Sequence, residues 1–273
     1  MHSYRSDIGF LLLFFAVAYG WAWAFWVPVA LEVNGLVEIP DTFAWIIAGG
    51  QPAAWGPLIA AVLVALLQNR WAGLRNLFKS MVRGKFSLFW YLVAILLLPT
   101  VVGAAQLIAW LMGEPIPASP AFAQPISIPI AFVWIFFLAG PLQEEAGWRG
   151  TSTRLLQIKM GALGASLITG LFWGLWHLPL FFMQREEIYY NQPIWGLLIS
   201  TTLLSVLHTW IYNSTKRSLF AAMLMHASWN WSNYLFTGLQ TDTGGLAFLL
   251  LLTSVVILVT VRSGPKRLTT GDA

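Results

Sequence analysis

The chain has 273 residues, 58% of them hydrophobic and 10% charged, with a mean hydropathy of +0.70; a soluble globular domain carries roughly 45–50% and 25%. Fifteen basic and eleven acidic side chains cannot cover so apolar a core in water, and apolar surface of that density equally excludes a disordered chain. The absence of cysteine rules out disulfides, thiolate metal ligands and a cysteine nucleophile, and the net charge of +4 reads as membrane orientation rather than nucleic-acid binding once the charges are placed along the chain.

A helix crossing a hydrocarbon core about 30 Å thick needs roughly 20 mostly apolar residues. Eight such stretches are expected: Ile8 to Leu31, Phe43 to Leu67, Leu88 to Met112, Ile126 to about Arg154, Ala162 to Met183, Pro193 to Tyr212, Leu219 to Phe236 and Gly245 to Val261. The first is too long for the core of a signal peptide and lacks a small-residue cleavage pattern, so it reads as a retained anchor. The fourth is cleanly apolar only to about Leu142, after which come Gln143, Glu144, Glu145 and Arg149. With the amino terminus inside, every Lys and Arg except Arg185 falls on the inner side, while Glu38, Asp41, Glu114, Glu187 and Asp242 lie outside. The expected architecture is therefore all-α and polytopic, a single integral membrane domain over residues 1–273 with both termini cytoplasmic. Between the second and third spans, Trp71, Leu74, Phe78 and Met81 share a helical face with Arg75, Lys79 and Arg83 interleaved. That pattern over 71–86 reads as an amphipathic helix in the inner interface, or as an ordinary basic loop.

Ionisable side chains inside spans cost about 2.5–3.5 kcal/mol each at the helix centre, so each one marks a candidate site. In Pro141-Leu-Gln-Glu-Glu-Ala-Gly-Trp-Arg149-Gly150, the adjacent carboxylates project about 100° apart on a helix. Glu145 can pair with Arg149 four residues on, which leaves Glu144 to face a cavity as a general base. Gly140-Pro141 is expected to loosen the helix and admit water. A helix simply leaving the membrane at a charged interface would carry the same residues. His177 sits in the apolar run Leu171-Phe-Trp-Gly-Leu-Trp-His-Leu-Pro, where a lone histidine is commonly a packing residue. His226 and Asn230 lie four apart and share a face. His208, with Thr209 and Asn213 nearby, is expected to make interfacial hydrogen bonds. Together, a glutamate, two histidines and an asparagine on three spans form a set fit for hydrolysis. Glu144 would take a proton from water, and the imidazoles would hold a divalent metal or orient the water directly. Asn230 with one histidine would stabilise the oxyanion.

These motifs resemble the CPBP family: the CAAX prenyl endopeptidases of the intramembrane glutamate type and their bacterial relatives linked to bacteriocin processing or self-immunity. The residues carrying the resemblance are Glu144-Glu145-x-x-x-Arg149, His177, and His226-x-x-x-Asn230 after Thr-Lys-Arg-Ser-Leu, within a core of about 132–234. It implies an eight-span fold with a polar cavity open to the cytosol, with Glu144, His177, His226 and Asn230 as the catalytic set and Glu145 and Arg149 as supports. The family's second motif usually reads Phe-x-x-x-His, whereas this chain places Trp173 four residues before His177. The implied function is an intramembrane endopeptidase cleaving a peptide or protein, lipidated or not, near the cytosolic face. The alternative is a non-catalytic immunity or scaffold protein. A metal such as Zn2+ would fall to His177, His226 and Glu144, although no His-Glu-x-x-His motif is present. A proton-coupled transporter is the third reading, without the paired broken helices that mark one.

One geometric condition follows. At ~1.5 Å per residue His226 lies about 10 Å into its span and His177 about 22 Å into its own. Both reach Glu144 only if the fifth helix starts above the inner surface, tilts strongly, or bends at Gly170 or Gly174.

Overall fold

The computed structural model describes residues 4–40, 42, 52–186, 188–190 and 192–270, with side chains described from residue 7. The first part of the expected second span, 43–51, and the acids Asp41 and Glu187 lie outside the described residues. Among the described residues the chain is helical, with no strand. The long elements are α1 (Tyr4–Val33), α2 (Gly56–Met81), α3 (Leu88–Leu111) and α4 (Ser127–Leu138), then α5 (Pro141–Gly147), which continues through a π-helical stretch, Trp148–Thr153, into α6 (Arg154–Trp176). They are followed by α7 (Ile194–Ser214), α8 (Leu219–Leu235) and α9 (Asp242–Ser263). The last two helices start where the sequence offers a cap. Ser218 Oγ accepts from the Ala221 N–H at 3.1 Å, and Thr241 Oγ1 from the Gly244 N–H at 3.1 Å.

Among the described residues, six stretches are long and apolar enough to cross a membrane. One of them, Ser127–Phe182, is 56 residues long and contains two of the expected spans. The helix at Leu219–Leu235, at 17 residues, falls just short of that length. Large apolar side chains such as Leu107 and Trp134 face outward, while Gln143, Glu145, Arg149, Ser152, Thr153 and Thr169 are fully buried. That distribution is inverted relative to a water-soluble protein and matches a lipid solvent.

Lipid tails give helices no hydrophobic reason to associate, so close backbone packing must hold them together. A Cβ on Gly56 would stand 2.5 Å from the Ala18 carbonyl oxygen, and one on Gly147 would stand 2.6 Å from Pro57 Cβ, so α1, α2 and α5 meet where there is no room for a side chain. α6 runs along α7 in the same way. A Cβ on Gly170 would lie 2.5 Å from Thr202 Cα, and one on Gly174 would lie 2.5 Å from Thr201 Oγ1. These two glycines pack rather than bend. The break expected near them occurs instead at Gly161, whose φ of +73° and ψ of 175° interrupt the helix.

Gly161 therefore acts as the tip of a helical hairpin. Ser152 bonds Thr169 at 2.9 Å, and the Trp148 and Trp176 rings meet at 5.8 Å. In that register Glu144, seventeen residues before the tip, and His177, sixteen after it, stand at the same level, each about 25 Å from the tip at ~1.5 Å per residue. The depth conflict read from the sequence disappears because Glu144 is as far from its turn as His177 is. The amphipathic stretch also separates as a unit. α2 breaks at Asn69 and Arg70 (φ +49°), and of the segment beyond, Leu77 and Met81 are buried while Trp71 and Phe78 face out.

Candidate active site

The site is built around a discontinuity. α4 ends at Leu138, and after Ala139 Gly140 adopts φ +110°, ψ −57°, a region open only to glycine without strain, before Pro141 starts α5. The Gln143 side chain closes the break by accepting the Gly140 N–H at 2.8 Å. Glu144 and Glu145 thus fall in the first turns of a fresh helix and project in different directions.

Glu144 points into a cavity of about 480 Å³ that is also lined by His177, His226, Asn230, Trp173 and Tyr189. Its Oε2 accepts hydrogen bonds from two indoles, Trp173 Nε1 at 2.7 Å and Trp148 Nε1 at 3.1 Å. Its Oε1 is left toward the cavity. A point one bond length from Gly140, where a Cβ would stand, lies 2.8 Å from Glu144 Oε1, 3.2 Å from His226 Nε2 and 3.3 Å from Asn230 Nδ2. The missing side chain of Gly140 is thus the space that three polar atoms share.

Glu145 faces the other way and organises the wall. Its Oε1 accepts from Arg149 Nη1 at 2.9 Å and from His226 Nδ1 at 2.8 Å, with glutamate and arginine both fully buried. The pairing of Glu145 with Arg149 read from their spacing is therefore present. A carboxylate oxygen can only accept here, so His226 carries its hydrogen on Nδ1 and turns Nε2 to the cavity. The Arg149 guanidinium also lies 4.7 Å from the centroid of the Trp173 ring, so one cation steadies both Glu145 and the indole that holds Glu144.

Asn230 donates one amide hydrogen to the Ala139 carbonyl at 2.8 Å, leaving the second for the cavity. His177 caps the end of α6, its Nδ1 2.8 Å from the Trp173 carbonyl and its ring stacked on Tyr189 at 5.5 Å. Tyr189 lies between the spans, and burial first, then the carboxylates of Glu144 and Glu186, push its hydroxyl above the usual phenol range. It stays a neutral donor.

The structure brings Glu144, His177, His226 and Asn230 to one cavity. It does not bring together the donor atoms of the expected metal set, His177, His226 and Glu144. Glu144 Oε2 is occupied by two indoles, and His177 Nδ1 turns back to its own helix. Among the described residues, the group whose ligand atoms lie within 4.8 Å of one another is Glu145, His208 and His226. His208 is wholly buried beside His226 and Trp173, at ring separations of 5.7 Å and 5.7 Å, not at an interface. Glu145 Oε2 and His208 Nε2 have no partner. However, His226 spends Nδ1 on Glu145 Oε1, and Arg149 lays its charge on the same carboxylate. The three residues could still hold a divalent metal through the open Glu145 Oε2 and His208 Nε2, against the repulsion of the buried guanidinium beside them.

Sequence reasoning missed the part that three residues play. Trp173 reads from sequence as an aromatic wall, yet its indole N–H is a ligand of the carboxylate. Trp148 lies one turn after Glu144, a spacing that does place it within reach. His208 belongs to a polar face of α7 with Ser205 and Thr209, a run of buried hydrogen-bonding groups that was the available signal.

Fold and site together define an all-helical, membrane-embedded protein with a buried carboxylate–imidazole cluster in a polar cavity. Residues 126–232, which contain every one of these groups, match the family model of the type II CAAX prenyl endopeptidases, Rce1-like. The chain is also similar to "CAAX prenyl protease 2" of Methanococcus maripaludis, 31% identical over 141 residues, which is 49% of this chain and 52% of that protein. The chain spans about half the length of the curated relative it matches. Over the segment that carries the site, the resemblance read from the motifs holds.

Proposed function

We propose that this protein is an intramembrane endopeptidase that hydrolyses a peptide bond with water activated by Glu144, in a cavity walled in part by Arg185, Glu186 and Tyr189 of the loop that the charge placement puts outside, not by the basic inner loops. The observation that carries the reading is the convergence of Glu144 Oε1, His226 Nε2 and Asn230 Nδ2 within 3.3 Å of one point beside Gly140. A water in the cavity within hydrogen-bond reach of Glu144 Oε1 can give that oxygen a proton while the water oxygen attacks the scissile carbonyl. The bond formed is C–O. As the C–N bond breaks, the proton held on Glu144 passes to the departing amine, so the carboxylate is restored. The free amide hydrogen of Asn230 donates to the developing oxyanion, and His226 adds a second donor when its Nε2 is protonated.

Two indole donors support the role of Glu144 by stabilising its charge without cancelling it, as a salt bridge would. Glu145 and Arg149 act as positioning residues by fixing the tautomer and orientation of His226. His177 and Tyr189 line the wall against which a substrate segment would lie. The substrate class is a peptide or membrane protein, with or without a lipid on its carboxyl terminus, presented from within the membrane. The helical segment 71–81 lies in the inner interface in this reading.

Incubating the purified full chain with lipidated and unlipidated peptides and sequencing the products tests the activity. Glu144→Gln should lower cleavage on the order of 10²–10⁴-fold while leaving peptide binding intact. An immunity or scaffold role predicts binding without cleavage in the parent chain, and no change on substitution.

A further inference from the structure

A second cavity, of about 310 Å³, lies away from the carboxylate site and has no assigned role. It is enclosed by α2 on both sides of its break, by the π-helical stretch that joins α5 to α6, and by the turn between α7 and α8. The walls carry four cations, Arg83, Arg154, Lys216 and Arg217, and among the described residues no Asp or Glu lines it. Asp7 interacts with Arg154 from outside the lining. Neutral donors complete the floor. Asn69 and Asn76 line it, and the nearly buried Tyr212 lies within electrostatic reach of Arg83, Arg154 and Arg217.

The cavity exists because of two backbone distortions. The break at Asn69 and Arg70 folds α2 back until Gly73 rests on Ala65, where a Cβ would stand 2.2 Å from its carbonyl oxygen. Lys216 and Arg217 both hold positive φ, 54° and 60°, a conformation that costs a non-glycine residue on the order of 1–3 kcal/mol. Their carbonyls are tied across the cavity mouth, Arg217 accepting from Ser80 Oγ at 2.5 Å and Lys216 from Arg83. Arg154 is held as firmly. Its Nε donates to the Gly150 carbonyl at 2.8 Å and its Nη2 to Gln68 Oε1 at 2.9 Å. A strained turn that gathers like charges around a hollow lacks a structural reason of its own. It has one if the hollow takes an anion.

We propose that this cavity binds the phosphate group of an anionic phospholipid headgroup. Arginines supply the planar, two-pronged donors that suit phosphate oxygens, and basic pockets between transmembrane helices at the inner surface recognise such headgroups. The lipid is favoured over a soluble phosphate by what flanks the cavity. The segment that supplies Asn76 and Ser80 also turns Trp71 and Phe78 outward, 78% and 47% exposed, and both are suited to lie among acyl chains beside a bound headgroup. Gly150 and Thr151 line the cavity directly after Arg149, so an occupied site would brace the helix that carries Glu144 and Glu145.

The test requires no peptidase activity. The full chain in phosphatidylcholine nanodiscs is titrated with phosphatidylglycerol, and retained lipid is counted by native mass spectrometry. At about fivefold per cationic side chain, Arg83→Gln with Arg217→Gln should weaken retention ~25-fold, whereas the pair Arg262→Gln with Lys266→Gln, which does not line the cavity, should leave it unchanged. Equal losses in both pairs overturn the proposal, because they mean a diffuse charged belt. A parallel arm titrates inorganic phosphate into detergent-solubilised protein. Protection against thermal unfolding that saturates with phosphate and is not exceeded by phosphatidylglycerol overturns the lipid assignment. If the cavity variants do not fold, a photoreactive phosphatidylglycerol headgroup on the parent chain decides. Adducts confined to peptides containing Ser80–Arg83 or Tyr212–Arg217 support the site, and adducts spread over all basic segments refute it.

Discussion

Replacing Trp173 with phenylalanine isolates the feature that most distinguishes this site from the family's usual pattern. The substitution keeps an aromatic ring against Arg149 and His226 and removes the indole N–H that reaches Glu144 Oε2 at 2.7 Å. Trp148, at 3.1 Å, remains as the second donor. A buried hydrogen bond to a charged group contributes about 1.5–3 kcal/mol. If that bond holds Glu144 in its reactive pose, kcat/KM should fall roughly 10- to 150-fold at ~1.4 kcal/mol per decade. Most of the loss should appear in kcat, since the indole touches the base rather than the peptide. Trp148→Phe should cost less, because its bond is longer. The assay is initial-rate cleavage of a peptide identified from the library, with thermal unfolding of each variant measured alongside. A folded Trp173→Phe protein with kcat/KM within twofold of the parent would refute the idea that two indoles position the base.

Gly140→Ala should abolish cleavage while the protein still inserts. Its Cβ would stand 2.8 Å from Glu144 Oε1 and 3.2 Å from His226 Nε2, pushing the polar atoms apart, and its φ of +110° is unfavourable for alanine; product analysis of purified variant checks this. Arg149→Met should lower stability by about 3–5 kcal/mol, because Glu145 keeps its buried charge without its cation, and chemical unfolding in detergent reads the difference directly. Prolonged treatment with chelator should leave cleavage within twofold of the untreated protein, since activation of water by Glu144 as proposed needs no metal, whereas a loss would point to the group of Glu145, His208 and His226. Recovery of a lost activity by one divalent metal would overturn the metal-free reading.

The sequence determined alone that this chain lives in lipid, that it is helical, and which few polar residues the membrane would not tolerate without a reason. Hydropathy and charge placement are one-dimensional properties, so spans and candidate residues could be read by counting. The pairing of Glu145 with Arg149 was legible for the same reason, because four residues on a helix is one turn. The level at which Glu144 and His177 meet was not legible. It depends on where the hairpin turns, and Gly161, with a φ of +73°, was indistinguishable in sequence from Gly170 and Gly174, which only pack. Nor did any local pattern say that Trp173 would aim its N–H at a carboxylate twenty-nine residues away, that His208 would lie behind His226, or that the turn at Lys216 and Arg217 would close over a basic hollow. Those facts are distances between side chains on different helices. Composition sets the solvent a chain must live in, but only the packing of one helix against the next decides which polar atoms share a cavity.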